Sequence, residues 1–190
     1  MINSITVNYD GARPYRRVQE AVAKANELMR TDEFYTAIAN HPRFALSSAS
    51  SESIAELMRD ARIIMKVDLY YALSPLYNID GYDDTENPFA VHLNVWRIDR
   101  SVSSLCNSIV HGCVHAVNAQ VNRFYLSQYY FGHGPATTPG KEKTAPYAIG
   151  AIAQRLVSNE DTVFLPLEHD PYISRFKTAQ NAAPAVFASV

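Results

Sequence analysis

The chain has 190 residues, of which 47 % are hydrophobic and 19 % are charged, and its formal net charge is −2 at pH 7. This length and composition fit one globular domain with a substantial hydrophobic core. A charge this close to zero gives no general attraction to nucleic acids or to anionic lipids, so we expect neither as a partner.

The first third of the chain predicts a short strand followed by helices. Residues 5–11 alternate between apolar and polar side chains and end at an Asp-Gly turn, which is typical of a strand. Residues 12–41 carry apolar side chains at helical spacing and predict one or two helices, which must end before Pro42. Residues 47–63 begin with a serine-rich capping sequence and predict a further helix.

Two strands separated by a loop come next. Residues 63–73 are rich in strand-forming side chains, and residues 89–98 alternate between two faces, so both segments predict strands. Residues 78–88 are acidic and rich in turn-forming residues and predict a loop. We expect the two strands to belong to one small mixed or antiparallel sheet.

The second half of the chain predicts two helices joined by a loop. Residues 101–126 predict a long helix with Ser101 as its N-cap, and residues 145–157 predict the last helix. The core should form where the long helix meets the sheet, between Leu105, Ile109 and Ala116 of the helix and Val91, Leu93 and Val95 of the strand. The predicted fold is therefore α+β: a small mixed or antiparallel sheet packs on the long helix, N-terminal helices cover the other side, and residues 1–190 form a single domain.

Three histidines indicate a metal site on the long helix and the loop that follows it. His111 and His115 are four residues apart, so their imidazoles lie on one helix face and can meet at one ion. Zinc takes neutral imidazole nitrogens as ligands, and a catalytic zinc site has three protein ligands and one open position. His133 lies between Gly132 and Gly134, which would let the loop turn back and deliver the third imidazole. The sequence therefore predicts a Zn²⁺ site.

Three segments together resemble the core of zincin-type metallopeptidases: SLCNSIVHGCVHAVNAQ, YYFGHG and TAPYAIGAIAQRL. Members of that family carry an HExxH motif on a helix and a third zinc ligand in a glycine-containing loop. The resemblance covers about residues 89–156 and implies a zincin-like fold and hydrolysis of a peptide or protein substrate. It implies that His111, His115 and His133 bind zinc.

The same resemblance implies two further roles. Tyr147 matches a tyrosine that lies near the metal in some of these enzymes, where its hydroxyl can stabilise the oxyanion of a tetrahedral intermediate. The strand at 89–98 matches the edge strand that runs along the cleft and pairs with an extended substrate.

The chain departs from the family pattern at two points. His133 follows His115 by eighteen residues, a longer gap than in compact relatives. Gly112 stands where the family keeps the glutamate that serves as general base, and such a base is typically worth about 10²–10⁴-fold in rate. Glycine inside a helix also costs roughly 1 kcal/mol relative to alanine. We therefore expect an inactivated variant of an active protease, either engineered or selected because the active protein harms its host, as a delivered toxin would.

Other interpretations of these residues stay open. The chain would be a natural pseudo-enzyme if the metal serves structure or binding, or a non-catalytic protein-binding module that uses the same cleft. Cys113 paired with His92 or His133 would resemble a cysteine hydrolase, although core packing is the simpler explanation of Cys113. Tyr147 is alternatively an aromatic side chain packed at a helix start. Asn118 either orients a metal ligand or faces solvent.

The remaining observations bear on disulfide bonds and on the cellular location of the protein. Cys106 and Cys113 are seven positions apart in one predicted helix, about 10 Å, which is too far for a disulfide. The N-terminal residues lack the apolar stretch of a Sec signal peptide, and no apolar run is long enough to span a membrane. We expect a cytoplasmic protein, or one exported without a Sec signal peptide.

Overall fold

A computed structural model describes residues 5–11, 13–72, 81–83, 87–124, 130–133 and 139–158. These residues form an α+β fold, as predicted. The elements follow in the order β1 (Ile5–Asn8), α1 (Arg16–Leu28), α2 (Asp32–Ala39), α3 (Ser51–Asp60), β2 (Ile63–Tyr70), β3 (Gly81–Asp83), β4 (Ala90–Asn94), α4 (Val102–Phe124) and α5 (Ala145–Ser158), with short 3₁₀ turns at Val95–Arg97 and Lys141–Lys143. None of the described helices is long and apolar enough to cross a membrane.

The sheet has the strand order β1-β2-β4-β3, and it is mainly parallel. β2 runs parallel to both β1 and β4, with Val67 opposite Val91, and β3 alone runs antiparallel, beside β4. The sequence left a mixed and an antiparallel sheet open, and the antiparallel sheet is therefore wrong. The parallel arrangement suits β4, because residues on both of its faces are buried, Ala90 and Asn94 on one and Val91 and Leu93 on the other, and parallel strands are usually covered on both faces.

Two predicted boundaries in the sheet region are also wrong. The predicted loop 78–88 contains β3, and the predicted strand 89–98 ends at Asn94. There the Asn94 side chain accepts a hydrogen bond from the Trp96 backbone N–H at 3.1 Å and starts a 3₁₀ turn. Val95 consequently leaves the strand and is only half-buried.

The N-terminal helices form where the periodicity predicts them, and side chains cap two of them. The Ser50 hydroxyl accepts from the Ser53 backbone N–H at 3.2 Å, as the serine-rich sequence predicted for α3. The placement of these helices differs from the expectation, because α1 packs against both β1 and α4, on the same side of the sheet as α4. The opposite face of β2 is not covered by them, since Ile64 is 72 % exposed while Met65 and Val67 are fully buried.

Helix α4 lies at the centre of the hydrophobic core. It packs against α5 and α1 and against strand β2. Its predicted apolar stripe is confirmed, because Leu105, Ile109 and Ala116 are fully buried. On the facing strand Val91 and Leu93 are buried as predicted, whereas the third predicted core residue, Val95, is not. A helix buried on so many sides gives its inward side chains fixed positions, and those side chains include the first two histidines.

Candidate metal centre

Helix α4 holds two of the three predicted metal ligands. The helix starts at Ser101, whose hydroxyl accepts from the Ser104 backbone N–H at 3.2 Å, as predicted for its N-cap. Two to four turns later the helix presents His111, which is buried, and His115, which is half-buried. Their Nε2 atoms are 3.2 Å apart. The four-residue spacing thus brings the two imidazoles together, as helix geometry requires.

His133 completes the cluster, although eighteen residues separate it from His115. One ring nitrogen from each of His111, His115 and His133 lies within 4.8 Å of the others, an arrangement that can hold a metal ion. The His133 ring centroid is 4.6 Å from that of His115 and 5.5 Å from that of His111. The structure therefore brings together the three histidines that the sequence predicts as ligands.

A short segment, residues 130–133, delivers the third histidine and is fixed at several points. The Asn118 side-chain oxygen on α4 accepts from the Phe131 backbone N–H at 3.0 Å. Tyr130 exchanges hydrogen bonds with Ser48, whose hydroxyl accepts from the Tyr130 N–H at 2.8 Å and whose N–H donates to the Tyr130 carbonyl at 2.9 Å. The Phe131 side chain is fully buried. These contacts explain how a distant loop residue is held against the helix.

The Asn118 side chain bonds to the backbone of the segment that carries His133, two residues before that histidine. Its side-chain oxygen also accepts from Asn122 Nδ2 at 3.4 Å, so both groups that contact it belong to the region around the histidines. The bond to Phe131 fixes the backbone that leads to His133, whereas an outer-shell partner in the usual sense bonds to the ligand side chain itself.

The prediction that Gly132 and Gly134 let the loop turn back at His133 is only partly right. Gly132 does not adopt the left-handed backbone conformation that glycine alone favours, and Gly134 lies outside the described residues. Gly132 instead lies against a side chain, since a Cβ there would come within 2.8 Å of the Tyr130 hydroxyl. The described glycine that does use a positive φ, +72°, is Gly140, directly before the 3₁₀ turn that leads into α5.

Two of the three imidazoles, His111 and His115, are held in the neutral form that metal binding needs. Burial lowers the pKa of His111 well below its usual value near 6.5, and the nearby basic groups of His115, His133 and Lys141 lower it further. Burial and then the charge of His133 lower the pKa of His115 to about 3. Although His115 as a whole is only partly buried, its Nε2 lies against the buried His111 ring. Both histidines are consequently neutral at pH 7, with nitrogen lone pairs able to coordinate a cation.

The donor set fits a divalent metal ion of borderline softness. Three imidazole ligands suit zinc, and they also suit copper, nickel and iron. Among the described residues no aspartate, glutamate or cysteine joins the group. The arrangement can therefore bind a metal ion, and the donors alone do not select zinc.

No family model matches this sequence, and neither the known curated proteins nor the solved structures contain a significant match. The resemblance to zincin-type metallopeptidases therefore depends on the motif residues themselves and stays a prediction.

Tyr147 lies beside the histidines, in the first turn of α5. Its ring centroid is 4.6 Å from that of His111, with the rings edge to face, and 5.3 Å from that of His133. Helix α5 approaches α4 closely because Gly150 has no side chain, since a Cβ there would collide with the Asn107 side-chain oxygen. The predicted position of Tyr147 near the metal cluster therefore has a packing cause.

Lys141 is a residue of the centre that the sequence did not reveal. Its Nζ lies 5.5 Å from the centroid of the Tyr147 ring, a cation–π arrangement, and its charge acts on His111. No motif marks it, because Lys141 belongs to a lysine-containing turn that reads as ordinary solvent-facing sequence. The local signal available was Gly140, whose left-handed conformation sets the turn.

Gly112 and the cysteines occupy the buried part of α4. Gly112 is buried between the first histidine and Cys113, and it offers no group for proton transfer. Cys113 is fully buried in the hydrophobic core, which favours the packing interpretation over a nucleophile paired with His92 or His133. Burial raises the pKa of Cys106 to about 12, so this thiol is not reactive at neutral pH.

Proposed function

We propose that this chain is a zinc metallopeptidase-like protein that binds Zn²⁺ through His111, His115 and His133. The observation that carries this proposal is the convergence of one ring nitrogen from each of three histidines within 4.8 Å, two from one helix face and one from a fixed segment. A zinc ion bound there would supply a Lewis acid that polarises a carbonyl and lowers the pKa of water.

The chain's own residues support binding of a substrate better than its cleavage. Tyr147 provides a hydroxyl-bearing side chain next to His111 and His133, which suits stabilisation of an oxyanion. Gly112 provides no base, so a rate lower by about 10²–10⁴-fold than that of an intact relative is expected. We propose that this chain holds a peptide or protein segment in its cleft without cleaving it efficiently.

An extended substrate would pair with β3 rather than with the segment 89–98. Both edges of β4 are occupied, by β2 on one side and β3 on the other, so the predicted pairing along 89–98 is wrong. β3 is the terminal strand on that side of the described sheet, and it contacts α4. A peptide added to β3 would lie near the helix that carries the histidines.

Restoring a carboxylate at position 112 tests whether the chain is an inactivated protease. Gly112→Glu should bind zinc and gain proteolysis of a denatured protein substrate, by at least about 100-fold over the parent chain. Gly112→Gln is the matched control, because it adds nearly the same volume without a base. Zinc content is measured on each purified variant by elemental analysis.

The outcomes separate the alternatives. Zinc bound with no gain in Gly112→Glu would contradict the inactivated protease and favour a natural pseudo-enzyme that keeps the metal for structure or binding. Absence of any bound metal, with the chain folded, would contradict the metallopeptidase proposal and favour a metal-free protein-binding module.

A further inference from the structure

Three neighbouring parallel strands of the sheet are each followed by a large exposed side chain. β2 lies between β1 and β4 and runs parallel to both, so the carboxyl ends of the three strands lie on the same side of the sheet. Arg13 lies between β1 and α1, Tyr71 directly follows β2, and Trp96 lies two residues after β4. Open α/β sheets usually bind ligands outside the carboxyl ends of their strands, because the connecting segments meet there.

The side chains of Arg13, Tyr71 and Trp96 form one group, which we call the strand-end patch. Arg13 Nη1 donates to the Tyr71 hydroxyl at 3.2 Å. The Tyr71 and Trp96 rings meet edge to face, with their centroids 5.8 Å apart. Tyr71 is 57 % exposed and Trp96 is 49 % exposed. A single exposed aromatic side chain is ordinary, whereas two in contact beside a guanidinium group form a patch that a partner can cover.

Hydrogen bonds hold the two ends of the strand-end patch in place. The Trp96 indole N–H donates to the Ala72 carbonyl at 3.2 Å, which fixes the orientation of the indole ring. The Arg13 carbonyl accepts from the Tyr9 hydroxyl at 2.6 Å and from the Tyr15 backbone N–H at 3.0 Å. Groups that are already held in position lose less conformational entropy when a partner binds.

Arg13 gives the strand-end patch a positive charge. It forms no ion pair with any residue that the structure describes, whereas Arg17 pairs with Asp99 at 2.7 Å. The contact that Arg13 makes through Nη1 is to the neutral Tyr71 hydroxyl, and a guanidinium group carries five N–H donors. The remaining donors suit a carboxylate, which arginine can bind through two parallel hydrogen bonds.

We propose that the strand-end patch is a docking site for a protein partner that presents an acidic side chain next to an apolar one. The acidic group would bind Arg13, and its apolar neighbour would pack against the rings of Tyr71 and Trp96. Tryptophan, tyrosine and arginine are the residue types that contribute most to binding energy in protein interfaces. A nucleic acid is disfavoured, because the chain has a net charge of −2 and the patch offers one cation where phosphate recognition uses several. This proposal does not depend on metal binding.

Trp96 is the only tryptophan of the chain, so its fluorescence reports directly on the strand-end patch. The full chain is titrated with the acetylated and amidated pentapeptide Ala-Glu-Phe-Ala-Ala while tryptophan emission is recorded. The emission should change saturably. Peptides with glutamine in place of the glutamate, or with alanine in place of the phenylalanine, should each bind at least about three-fold more weakly.

Variants of the chain assign the response to individual side chains. Arg13→Gln should weaken binding of the glutamate peptide about three- to ten-fold and should leave binding of the glutamine peptide nearly unchanged, as expected for a direct pair. Tyr71→Ala should weaken binding of both peptides at least about five-fold. Arg30→Gln is the matched control, because Arg30 is an exposed arginine just beyond the other end of α1. Circular dichroism verifies that each variant is folded.

Several outcomes would overturn the proposal. A parent chain whose Trp96 emission shows no saturable response to the peptides would exclude the docking site. Equal affinities for the glutamate and glutamine peptides, or an equal response in Arg13→Gln and Arg30→Gln, would exclude an acidic partner. Tighter binding of single-stranded oligothymidylate than of the glutamate peptide would assign the patch to nucleic acid instead.

Discussion

The histidine cluster has a helix half, His111 and His115, and a loop half, His133, and the two are held in place by different kinds of contact. His111 and His115 lie inside a 23-residue helix that packs against α1, α5 and β2. The third histidine lies on a segment of four described residues, 130–133, which is held by hydrogen bonds to Ser48 and Asn118 and by one buried ring. The helix half follows from local geometry, whereas the loop half depends on a few long-range contacts. The position of the third histidine should therefore depend on those few contacts.

Phe131→Ala should have the largest effect on the loop half. The Phe131 side chain is fully buried, and truncating such a ring costs about 3–5 kcal/mol of folding free energy. The measurement is urea unfolding of the metal-free chain. Tyr130→Ala is the matched control, because Tyr130 is 43 % exposed and its hydrogen bonds to Ser48 are made by the backbone. Similar losses in the two variants would mean that the ring does not anchor the segment.

Removing one histidine from each half tests whether both halves bind the metal. His115→Ala and His133→Ala should each lower zinc affinity by more than about 100-fold, because even outer contacts of a metal ligand are worth about 10–100-fold. Zinc affinity is measured by competition with a chromophoric chelator. His41→Ala is the control, since His41 stacks on Phe44, outside the cluster. A His133→Ala variant with normal affinity would restrict the site to the helix.

Asn118→Ala tests the hydrogen bond that joins the two halves. Losing the acceptor of the Phe131 N–H should weaken zinc binding by about 10–100-fold while all three histidines remain. Asn122→Ala is the control, because it removes the 3.4 Å contact to Asn118 and leaves the Phe131 bond intact. Zinc affinities that fall equally in both variants would point to general disruption of α4 rather than to positioning of the loop.

The same contrast explains what the sequence predicted well. The helices follow from periodicity and capping, as at Ser50 and Ser101, and both signals are contained in adjacent residues. The pairing of His111 with His115 follows from helix geometry alone. The meeting of His133 with them was predicted from the glycines that flank it and from a family resemblance, and the Asn118 contact that secures it has no local signature.

Features that depend on distant pairing were missed. β3 is three residues long within an acidic, turn-rich segment, and it exists as a strand because Tyr82 lies opposite His92 in the neighbouring β4. Sheet order and strand direction are likewise set by which segments meet after folding. Lys141 joins the centre through its turn and through Tyr147, and neither contact can be read from the residues next to it in the sequence.

Lowering the pH should destabilise the metal-free chain through His115, in the helix half of the cluster. Burial first, and then the charge of His133, keep the pKa of His115 at about 3, whereas an unfolded histidine titrates near 6.5. Between these values the unfolded chain binds a proton that the folded chain excludes, so protonation of this histidine favours unfolding. The free energy of unfolding is therefore not reduced by His115 above pH 6.5, and it falls as the pH drops below that value. The loss is at most about 1.4 kcal/mol per pH unit for this histidine.

Urea unfolding of the metal-free chain from pH 7.5 to 4.5 tests this prediction. The free energy of unfolding should decline less steeply in His115→Gln than in the parent, with the value at pH 7.5 as the baseline for each. Parallel declines would mean that the folded helix accepts the proton, and that His115 is not held neutral by its position in the core.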